Sequence, residues 1–395
     1  MRTTTVLISG ASVAGPALAF WLQRYGFDVT VVEKSPGLRA GGQAIDFTGE
    51  THMTVLERMG ILDDIARRQT GKTDMVMVNE AGVRQAVISG DFTGGDIEIL
   101  RGDLADVMYQ RTAGSCEYLF GDTITALTEL NDGMYVEFAK APARRFDLVF
   151  GCDGIHSRVR RLAFGPESEF VTHSGYYYAL AGASHWEENN TGEYSERVVS
   201  YACGTPGRLA VTGGSKANQW YIFASPELEY SRDDFDQQRR IVAEKFAGIG
   251  GQVPGMLAEL PLLDGFYLDS LSKVSMKNFV SGRVALVGDA GYGITLGGFG
   301  TGLAVVGAYV LAGELAAAGG DYEVAFPRYQ EIMKQYLRKA DDSRPGPFLA
   351  PKTALGLRFR NWFVGSRAFG LMLKYTDSAK NDIDLVDYPA MIAAR

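Results

Sequence analysis

The chain has 395 residues, enough for two packed domains, and its 46% hydrophobic and 22% charged residues are typical of a globular protein. Its formal net charge of −8 excludes non-specific attraction to nucleic acid, so no nucleic-acid partner is expected. Three scattered cysteines without a CxxC pair and four scattered histidines predict no metal site, and the cysteines favour the reducing cytoplasm.

The N-terminal residues predict a strand, a helix and a second strand. Residues 4–9 are apolar and β-branched, as in a buried parallel strand, and the helix follows from 16 to 25. A second strand-like run at 29–32 argues against a cleaved leader peptide, which would not need it. The longest apolar stretch elsewhere, 303–313, is too short to span a bilayer, so we expect no membrane partner.

The turn between the first strand and the helix has the position and glycines of a dinucleotide-binding fingerprint. Gly10 permits a tight turn, Gly15 lets helix and strand approach closely, and a pyrophosphate would rest on the helix N-terminus. Ser12 replaces the usual middle glycine but is small, and Glu33 at the end of the second strand can bind both ribose hydroxyls. A plain structural turn is the alternative. The residues predicted to bind the dinucleotide here are Gly10, Ser12, Val13, Ala14, Gly15, Glu33 and Lys34.

The following residues predict elements of two kinds. A helix is expected at 51–68, short extended runs at 75–78 and 97–100, a new helix after Arg101, and a strand at 146–151 that returns to the first sheet. Between 173 and 225 the pattern changes to short strands separated by turns, which predicts a second, antiparallel sheet. These strands are 176–180, 197–203, 209–212 and 220–224. A buried strand at 284–287, helices at 303–318 and 321–340, and a helix-like stretch at 357–375 follow.

The predicted fold class is α/β: a Rossmann-like dinucleotide-binding domain with an inserted antiparallel β-sheet domain for the substrate and a C-terminal helix. The first domain is discontinuous and takes residues 1–72, 98–171 and 276–350. The sheet domain takes residues 73–97 and 172–275, and residues 351–395 form a C-terminal helical segment.

Two further clusters directly follow predicted strands. They read Cys152-Asp153-Gly154-Ile155-His156-Ser157-Arg158-Val159-Arg160, and Gly288-Asp289-Ala290 followed by Gly297-Gly298-Phe299-Gly300-Thr301-Gly302. Together with the opening glycine turn, these clusters resemble the flavin-dependent aromatic hydroxylases, the para-hydroxybenzoate hydroxylase-like family. Within that family the chain is most similar in look to the tetracycline destructases and polyketide hydroxylases, and the resemblance spans residues 6–335.

The resemblance implies that the dinucleotide is FAD, and it gives roles to single residues. Asp289 matches the aspartate that accepts hydrogen bonds from the ribityl chain, and Asp153 and Gly154 match a motif near the FAD pyrophosphate that is also linked to NAD(P)H use. Arg101 matches an arginine that opens a helix beside the adenosine part. The loop at 39–46 resembles the destructase branch. There Arg39 would lie near the nicotinamide cofactor and Asp46 near FAD, and Gln43 is assigned to the cofactor as well.

The residues themselves support part of this assignment. Gly298 and Gly300 precede a predicted helix, so their amides and the positive helix end can stabilise negative charge on a reduced flavin. From the residues alone, Asp289 can also be an ordinary helix N-cap, Arg101 a surface arginine, and the glycines a flexible turn. His156, a lone histidine in a turn, is interpreted as structural.

The activity that the resemblance implies is hydroxylation of a small, polycyclic aromatic substrate such as a tetracycline or a polyketide. NADPH or NADH would reduce FAD as a transient reductant, and O2 would add to the flavin to give a C4a-hydroperoxide that hydroxylates the substrate. No protein nucleophile is needed, so no catalytic residue is assigned, but water must be excluded. In the destructase branch a C-terminal helix covers the substrate opening, which implies this role for 357–375. Candidate pocket aromatics, most of them expected to be ordinary core, are Tyr176, Tyr177, Tyr178, Trp220 and Tyr221.

One segment departs from the family pattern: Thr295 and Leu296 stand where a proline is expected beside the flavin. This supports an alternative function as a reductase or a non-hydroxylating flavin- or ligand-binding protein of the same fold. A simple nicotinamide dehydrogenase is disfavoured by the clusters at Asp153 and Asp289. No second glycine-rich fingerprint is found, which favours transient nicotinamide binding, and the chain is expected to be a monomer or a homodimer.

Overall fold

The computed structural model describes residues 3–38, 44–90, 95–182, 198–214, 217–296, 300–339, 345–366, 369 and 383–394. Three of the predicted cofactor residues, Arg39, Gln43 and Gly298, lie outside these ranges.

The N-terminal strand lies at the centre of a six-stranded sheet. In spatial order the strands are β17 (Val280–Ser281), β18 (Val284–Leu286), β11 (Leu148–Gly151), β1 (Thr5–Ser9), β2 (Asp28–Glu33) and β7 (Glu117–Phe120). All neighbours are parallel except β17 and β18. Val6, Leu7 and Ile8 are fully buried, so β1 is covered on both faces, as its continuous apolar run predicted. The prediction of a Rossmann-like sheet is confirmed.

Helices cover this sheet, and two of them pack against each other. They are α1 (Ala14–Arg24) and α9 (Gly300–Ala317), and α10 (Tyr322–Lys339) packs on α9 as well. By length and composition α9 could cross a membrane, but 78% of it is buried inside the protein, which identifies it as a core helix. It begins at Gly300 rather than at the predicted residue 303, so residues 300–302 form its first turn.

The helix predicted at 51–68 is two helices, so that prediction was wrong. They are α2 (Glu50–Met59) and α3 (Leu62–Ala66). Gly60 between them adopts the left-handed conformation, with φ of 67°, and ends α2 as a C-terminal glycine commonly does. The helix predicted after Arg101 is confirmed as α4 (Arg101–Gln110).

Several small elements follow the first domain's main sheet. β3 (Ala44–Phe47) and β6 (Ile97–Leu100) form an antiparallel pair. A three-stranded antiparallel sheet, which was not predicted, takes residues just before β11 and moves the start of β11 from the predicted residue 146 to Leu148. Its strands are β8 (Ile124–Leu130), β9 (Gly133–Phe138) and β10 (Arg144–Phe146). Two short helices, α5 (Arg158–Ala163) and α8 (Asp289–Tyr292), follow β11 and β18.

The second sheet has seven strands. In spatial order they are β16 (Tyr267–Val274), β12 (Val171–Ala181), β15 (Gln219–Ala224), β14 (Arg208–Gly213), β13 (Val198–Thr205), β4 (Thr73–Val78) and β5 (Arg84–Ile88). The four predicted strands are present, but the sheet is not purely antiparallel, because β4 and β13 pair in parallel. These two strands are far apart in sequence, so no tight hairpin forces them to run in opposite directions.

The two faces of this sheet have different neighbours. One face packs on α6 (Phe235–Phe246) and α7 (Val253–Glu259) and buries Tyr177 and Tyr221. The other face holds Tyr176, Tyr178 and Trp220 and packs against the C-terminal segment. Because side chains alternate along a strand, Tyr177 and Tyr221 face away from the first domain. These two candidates are therefore core residues, as was expected for most of the five aromatics.

The C-terminal segment contacts the seven-stranded sheet and helix α9. Its helices are α11 (Pro345–Leu349), α12 (Ala354–Val364) and α13 (Tyr388–Ala393), and α12 ends well before the predicted residue 375. Helix α12 packs on β5 and β13, whereas α13 packs on α9. There the Tyr388 hydroxyl donates to Glu314 Oε1 at 2.6 Å, and a Cβ atom at Gly313 would lie 2.2 Å from the Tyr388 ring.

Candidate cofactor and active site

The turn between β1 and α1 depends on two glycines. Gly10 has φ of 105°, and a Cβ atom there would lie 2.5 Å from the carbonyl oxygen of Cys152, directly after β11. A Cβ atom at Gly15 would lie 1.8 Å from the carbonyl oxygen of Gly10 itself. The turn is therefore packed backbone against backbone. It leads into α1 at Ala14, where the first amides of a helix have no intrahelical acceptor.

Glu33, at the end of β2, holds this turn. Its Oε2 accepts from the Ala11 amide and its Oε1 accepts from the Ser35 amide, both at 2.8 Å. A carboxylate has about four acceptor positions, so two remain for further donors. The next residue, Lys34, is exposed and its Nζ lies 3.0 Å from Asp233, an exposed pair of a kind that contributes little to stability. The predicted contact of Lys34 with a cofactor is not tested by this geometry.

The carboxylate of Asp153 is engaged by its own loop. It accepts from the Ser157 hydroxyl and from the amides of Arg158 and Val159, at 2.8 and 3.1 Å for the two amides. Burial raises the pKa of Asp153, and these hydrogen bonds oppose the shift. Asp153 thus fixes the loop that enters α5, and Gly154 beside it takes the left-handed conformation at φ of 79°.

Asp289 is placed differently. Gly288, with φ of 66°, is the residue that precedes α8, and the Asp289 side chain makes no capping hydrogen bond. The interpretation of Asp289 as an ordinary N-cap was therefore wrong. Its side chain is exposed although Gly288 and Ala290 on either side are buried, and it accepts no hydrogen bond from the described residues. A Cβ atom at Gly300 would lie 3.4 Å from Asp289 Oδ1, so the start of α9 borders this carboxylate.

Arg101 is half-buried and lies close enough to Asp289 to stabilise its negative charge. Burial raises the pKa values of Tyr178 and Tyr267, and desolvation by the surrounding protein raises that of Asp289 although solvent reaches its side chain. The Arg101 guanidinium opposes the shift in all three. The rings of Tyr178 and Tyr267 lie 5.7 Å apart on the seven-stranded sheet. One cation thus acts on groups of both sheets, and we name the region between them the interdomain cleft. It is defined by Arg101, Tyr178, Tyr267, Asp289 and Leu296.

Arg160 is a structural residue of the site that the sequence did not reveal. Its side chain is fully buried, and its guanidinium donates to the carbonyl oxygens of Ala290 at 2.9 Å and Ile155 at 2.5 Å. It joins the Asp153 loop to the Asp289 loop. Arg160 is part of the cluster after β11, but nothing in a sequence distinguishes a buried arginine from a surface one.

The segment without the expected proline is held by β16. The Thr295 amide donates to the Ser272 carbonyl at 3.0 Å, and the Ser272 amide donates to Thr295 Oγ1 at 3.3 Å. Leu296, with φ of 56°, is the one non-glycine residue with positive φ in the described ranges. Hydrogen bonds to a strand thus fix this backbone where a proline ring would otherwise stiffen it.

Two further predicted residues lie in the same half of the molecule. Asp46 is half-buried on β3, directly opposite Glu98 of β6, and its predicted contact with FAD is not tested. His156 lies in the Asp153 loop, with Nδ1 at 2.8 Å from Glu167 Oε1 and Nε2 at 3.0 Å from both carboxylate oxygens of Asp269. Burial alone would lower the pKa of His156, but the two carboxylates outweigh it and raise the pKa.

Comparison with known sequences identifies the family. A family profile described as an FAD binding domain matches residues 3–322. An uncharacterised protein of Mycobacterium tuberculosis is 38% identical over 356 residues, which cover 87% of this chain and 94% of that protein. A flavin-dependent monooxygenase of Legionella longbeachae is 33% identical over 348 residues, 85% of this chain and 86% of that one.

Solved structures agree with this assignment. Tetracycline destructase Tet(55) is 31% identical, with a TM-score of 0.78 over 98% of this chain and 99% of that chain. Tetracycline destructase Tet(51) is 28% identical, with a TM-score of 0.80 over 98% and 100%. The glycine turn, the two strand-terminal aspartates and these likenesses lead to one conclusion. The chain belongs to the FAD binding domain family and is an FAD-dependent monooxygenase.

Proposed function

We propose that the protein uses NAD(P)H and O2 to hydroxylate a small polycyclic aromatic molecule, of the tetracycline or polyketide type. The observation that carries this proposal is the aromatic and aliphatic wall of the interdomain cleft. Tyr178, Tyr267 and Leu296 belong to one apolar cluster of the seven-stranded sheet, on the side that faces Asp289. A flat apolar molecule fits between such a wall and a flavin. Two similar solved structures are tetracycline destructases, which points to the same substrate class.

The residues present fit FAD. The close-packed turn at Gly10 and Gly15 leads into α1, whose first amides have no intrahelical acceptor and suit a pyrophosphate, and Glu33 retains acceptor positions for ribose hydroxyls. Asp289 offers an accessible carboxylate that accepts no hydrogen bond from the described residues, which suits the hydroxyls of a ribityl chain. We assign Asp153, Gly154 and Arg160 to the backbone framework that positions Asp289.

Bound FAD supplies the redox chemistry, taking electrons from the nicotinamide and activating O2. The chain itself has to orient the substrate and exclude water, because water promotes loss of the activated oxygen as hydrogen peroxide. The C-terminal segment serves the second task in our proposal. Phe348, Leu349 and Val364 pack on the same cluster as Tyr178, so they extend the apolar cover of the cleft.

The test uses the purified protein loaded with FAD. Tetracycline, 2-naphthol and 2-hydroxyanthraquinone are added separately, and NADPH or NADH oxidation, O2 uptake and product mass are measured. The expected result is stimulated nicotinamide oxidation with a product heavier by one oxygen atom. Nicotinamide oxidation with hydrogen peroxide as the only oxygen product would instead favour a reductase, the alternative that the Thr295-Leu296 segment supports. Failure to retain FAD would refute both functions.

A further inference from the structure

A chain of four side chains crosses from the interdomain cleft to the surface. The Tyr267 hydroxyl donates to Asp269 Oδ2 at 2.7 Å. His156 follows, with Nε2 at 3.0 Å from Asp269 and Nδ1 at 2.8 Å from Glu167. Asp269 and Tyr267 belong to β16 of the seven-stranded sheet, whereas His156 and Glu167 follow β11 of the six-stranded sheet. The chain therefore links the two domains beside the cleft.

The two carboxylates around His156 favour one set of hydrogen-bond directions. Each nitrogen of His156 faces a carboxylate, and these carboxylates raise its pKa, which favours the imidazolium in which both nitrogens donate. Asp269 accepts from His156, from Tyr267 and from the Ser270 amide at 2.7 Å. Its side chain is only 6% exposed, and the His156 charge keeps it ionised. An ionised carboxylate cannot donate, so the single proton of Tyr267 stays on the Asp269 side.

Tyr267 also faces the cleft. It is partly exposed, although burial raises the pKa of its hydroxyl well above the ordinary value and keeps it protonated. Its ring lies beside that of Tyr178, and Leu296 belongs to the same apolar cluster. The phenol oxygen of Tyr267 has two lone pairs, and neither is used by its bond to Asp269. The neighbouring Tyr178 hydroxyl, which hydrogen-bonds with Tyr267, can occupy one of them and leaves the other for a substrate. Toward the cleft this oxygen can accept a hydrogen bond but has no proton to donate.

We propose that Tyr267 determines substrate specificity by accepting a hydrogen bond from a hydroxyl or N–H group of the substrate, its own proton being held by Asp269, His156 and Glu167. This inference rests on the proposed function, because it concerns the polycyclic molecule in the same cleft. A substrate with a phenolic or enolic hydroxyl at that position pairs with Tyr267. The corresponding methyl ether has no proton to offer and leaves the Tyr267 oxygen without a partner, which costs binding free energy.

The experiment compares phenols with their methyl ethers. The probes are 2-naphthol with 2-methoxynaphthalene, and 2-hydroxyanthraquinone with 2-methoxyanthraquinone. Dissociation constants for the FAD-loaded enzyme are taken from the change in the flavin absorption spectrum, without NADPH. We expect the wild-type enzyme to bind each phenol about tenfold more tightly than its ether. Equal affinity within each pair, or no binding of any probe, overturns the proposal.

Two variants separate recognition from structure. Tyr267→Phe removes the acceptor, so the ratio of the two dissociation constants should fall to about one. Asp269→Asn places an amide that can donate to the Tyr267 oxygen and release its proton toward the cleft, so the preference should shrink or reverse. Tyr176→Phe, on the same sheet face but under Lys352 and Gly346, is the control and should keep the wild-type ratio.

A purely structural role of Tyr267 would weaken binding of phenol and ether alike and leave their ratio unchanged. That result, or an unchanged ratio in both Tyr267→Phe and Asp269→Asn, contradicts the proposal. Because binding is measured without turnover, the outcome differs from a failure of the proposed function. In that case the phenols would bind but would not be hydroxylated.

Discussion

Gly15 is the residue whose identity the fold restricts most directly. A methyl group at this position would lie 1.8 Å from the Gly10 carbonyl oxygen, which is backbone and cannot rotate away. Many other glycines have open space around them, Gly255 in α7 among them. The glycines of the turn are thus required by a close contact between two backbone segments. For this reason the glycine pattern alone could locate the turn in the sequence.

We predict that Gly15→Ala lowers the free energy of unfolding by about 1–3 kcal/mol and weakens FAD retention, because α1 has to move away from the turn. Chemical denaturation and the ratio of flavin to protein after gel filtration measure the two effects. Gly255→Ala is the matched control and should be neutral or slightly stabilising, since alanine is the better helix former. A Gly15→Ala protein with full flavin content would contradict the backbone contact.

The two aspartates of the site differ in what the sequence could predict about them. Both follow a strand, but the Asp153 carboxylate accepts hydrogen bonds from Ser157 and from the start of α5. Asp289 is accessible and accepts no hydrogen bond from the described residues. Side-chain partners of this kind depend on loop conformation, which strand patterns do not encode. The buried guanidinium of Arg160 escaped prediction for the same reason.

Asp289→Asn should therefore weaken FAD binding more than Asp153→Asn, because only Asp289 is proposed to contact FAD with its carboxylate. Loss of a charged acceptor costs about 1.5–3 kcal/mol, which is roughly a tenfold to hundredfold rise in the dissociation constant. Titration of the apoprotein with FAD, followed by flavin fluorescence, measures it. Asp236→Asn, on the exposed face of α6, serves as control. Should Asp289→Asn bind FAD as tightly as the wild type, the proposed ribityl contact is wrong.

Among the helices and strands, those that are apolar and buried on both faces were the easiest to predict from the sequence. Strand β18 and the central residues 6–8 of β1 are apolar and buried on both faces, which is why both strands were predicted. Strand β16 was missed because its sequence mixes Tyr267, Asp269 and two serines with apolar residues. These polar groups bond to one another, and Asp269 also pairs with His156 from a distant part of the chain. The single helix predicted at 51–68 failed at Gly60, where one left-handed residue ends α2.

The contact between β16 and the loop before α5 should make stability depend on pH. The pKa of His156 is raised above its unfolded value of about 6.5, so its contribution is fully present below that pH and is lost as pH rises through the folded value. The pKa values of Asp269 and Glu167 are lowered, although burial opposes the shift. Their contribution is present above about pH 4 and is lost as pH falls through the folded values.

We therefore expect the stability difference between the wild type and His156→Gln to be largest between about pH 4.5 and pH 6.5. Urea denaturation across pH measures it. The other charges that face Glu167, those of Arg160, Arg161 and Arg232, stay positive over this range. His173→Gln is the control, because His173 faces the Ser225 carbonyl and has no carboxylate partner there. A difference that does not change with pH would exclude the paired imidazolium.

In the whole molecule, the two sheets are joined by contacts between residues far apart in sequence. Thr295 bonds to Ser272, His156 to Asp269, and the C-terminal segment packs first on the seven-stranded sheet and then on α9. The order of motifs predicted the fold class, since each motif belongs to one strand end. The cleft between the sheets was not predictable in detail, because each of its walls takes residues from distant parts of the chain.

The C-terminal segment should reduce the loss of activated oxygen as hydrogen peroxide only while α13 stays packed on α9. Tyr388 fills the space beside Gly313 and donates to Glu314, so Tyr388→Ala removes both the packing and the hydrogen bond. We predict that this variant releases a larger fraction of consumed O2 as hydrogen peroxide, with little change in nicotinamide oxidation, because water reaches the cleft more easily. Parallel assays of peroxide and hydroxylated product measure the fraction.

The control is Leu355→Ala, a change at a residue of α12 that is 77% exposed, which should leave the peroxide fraction unchanged. Equal coupling in the wild type and Tyr388→Ala would show that the segment does not seal the cleft.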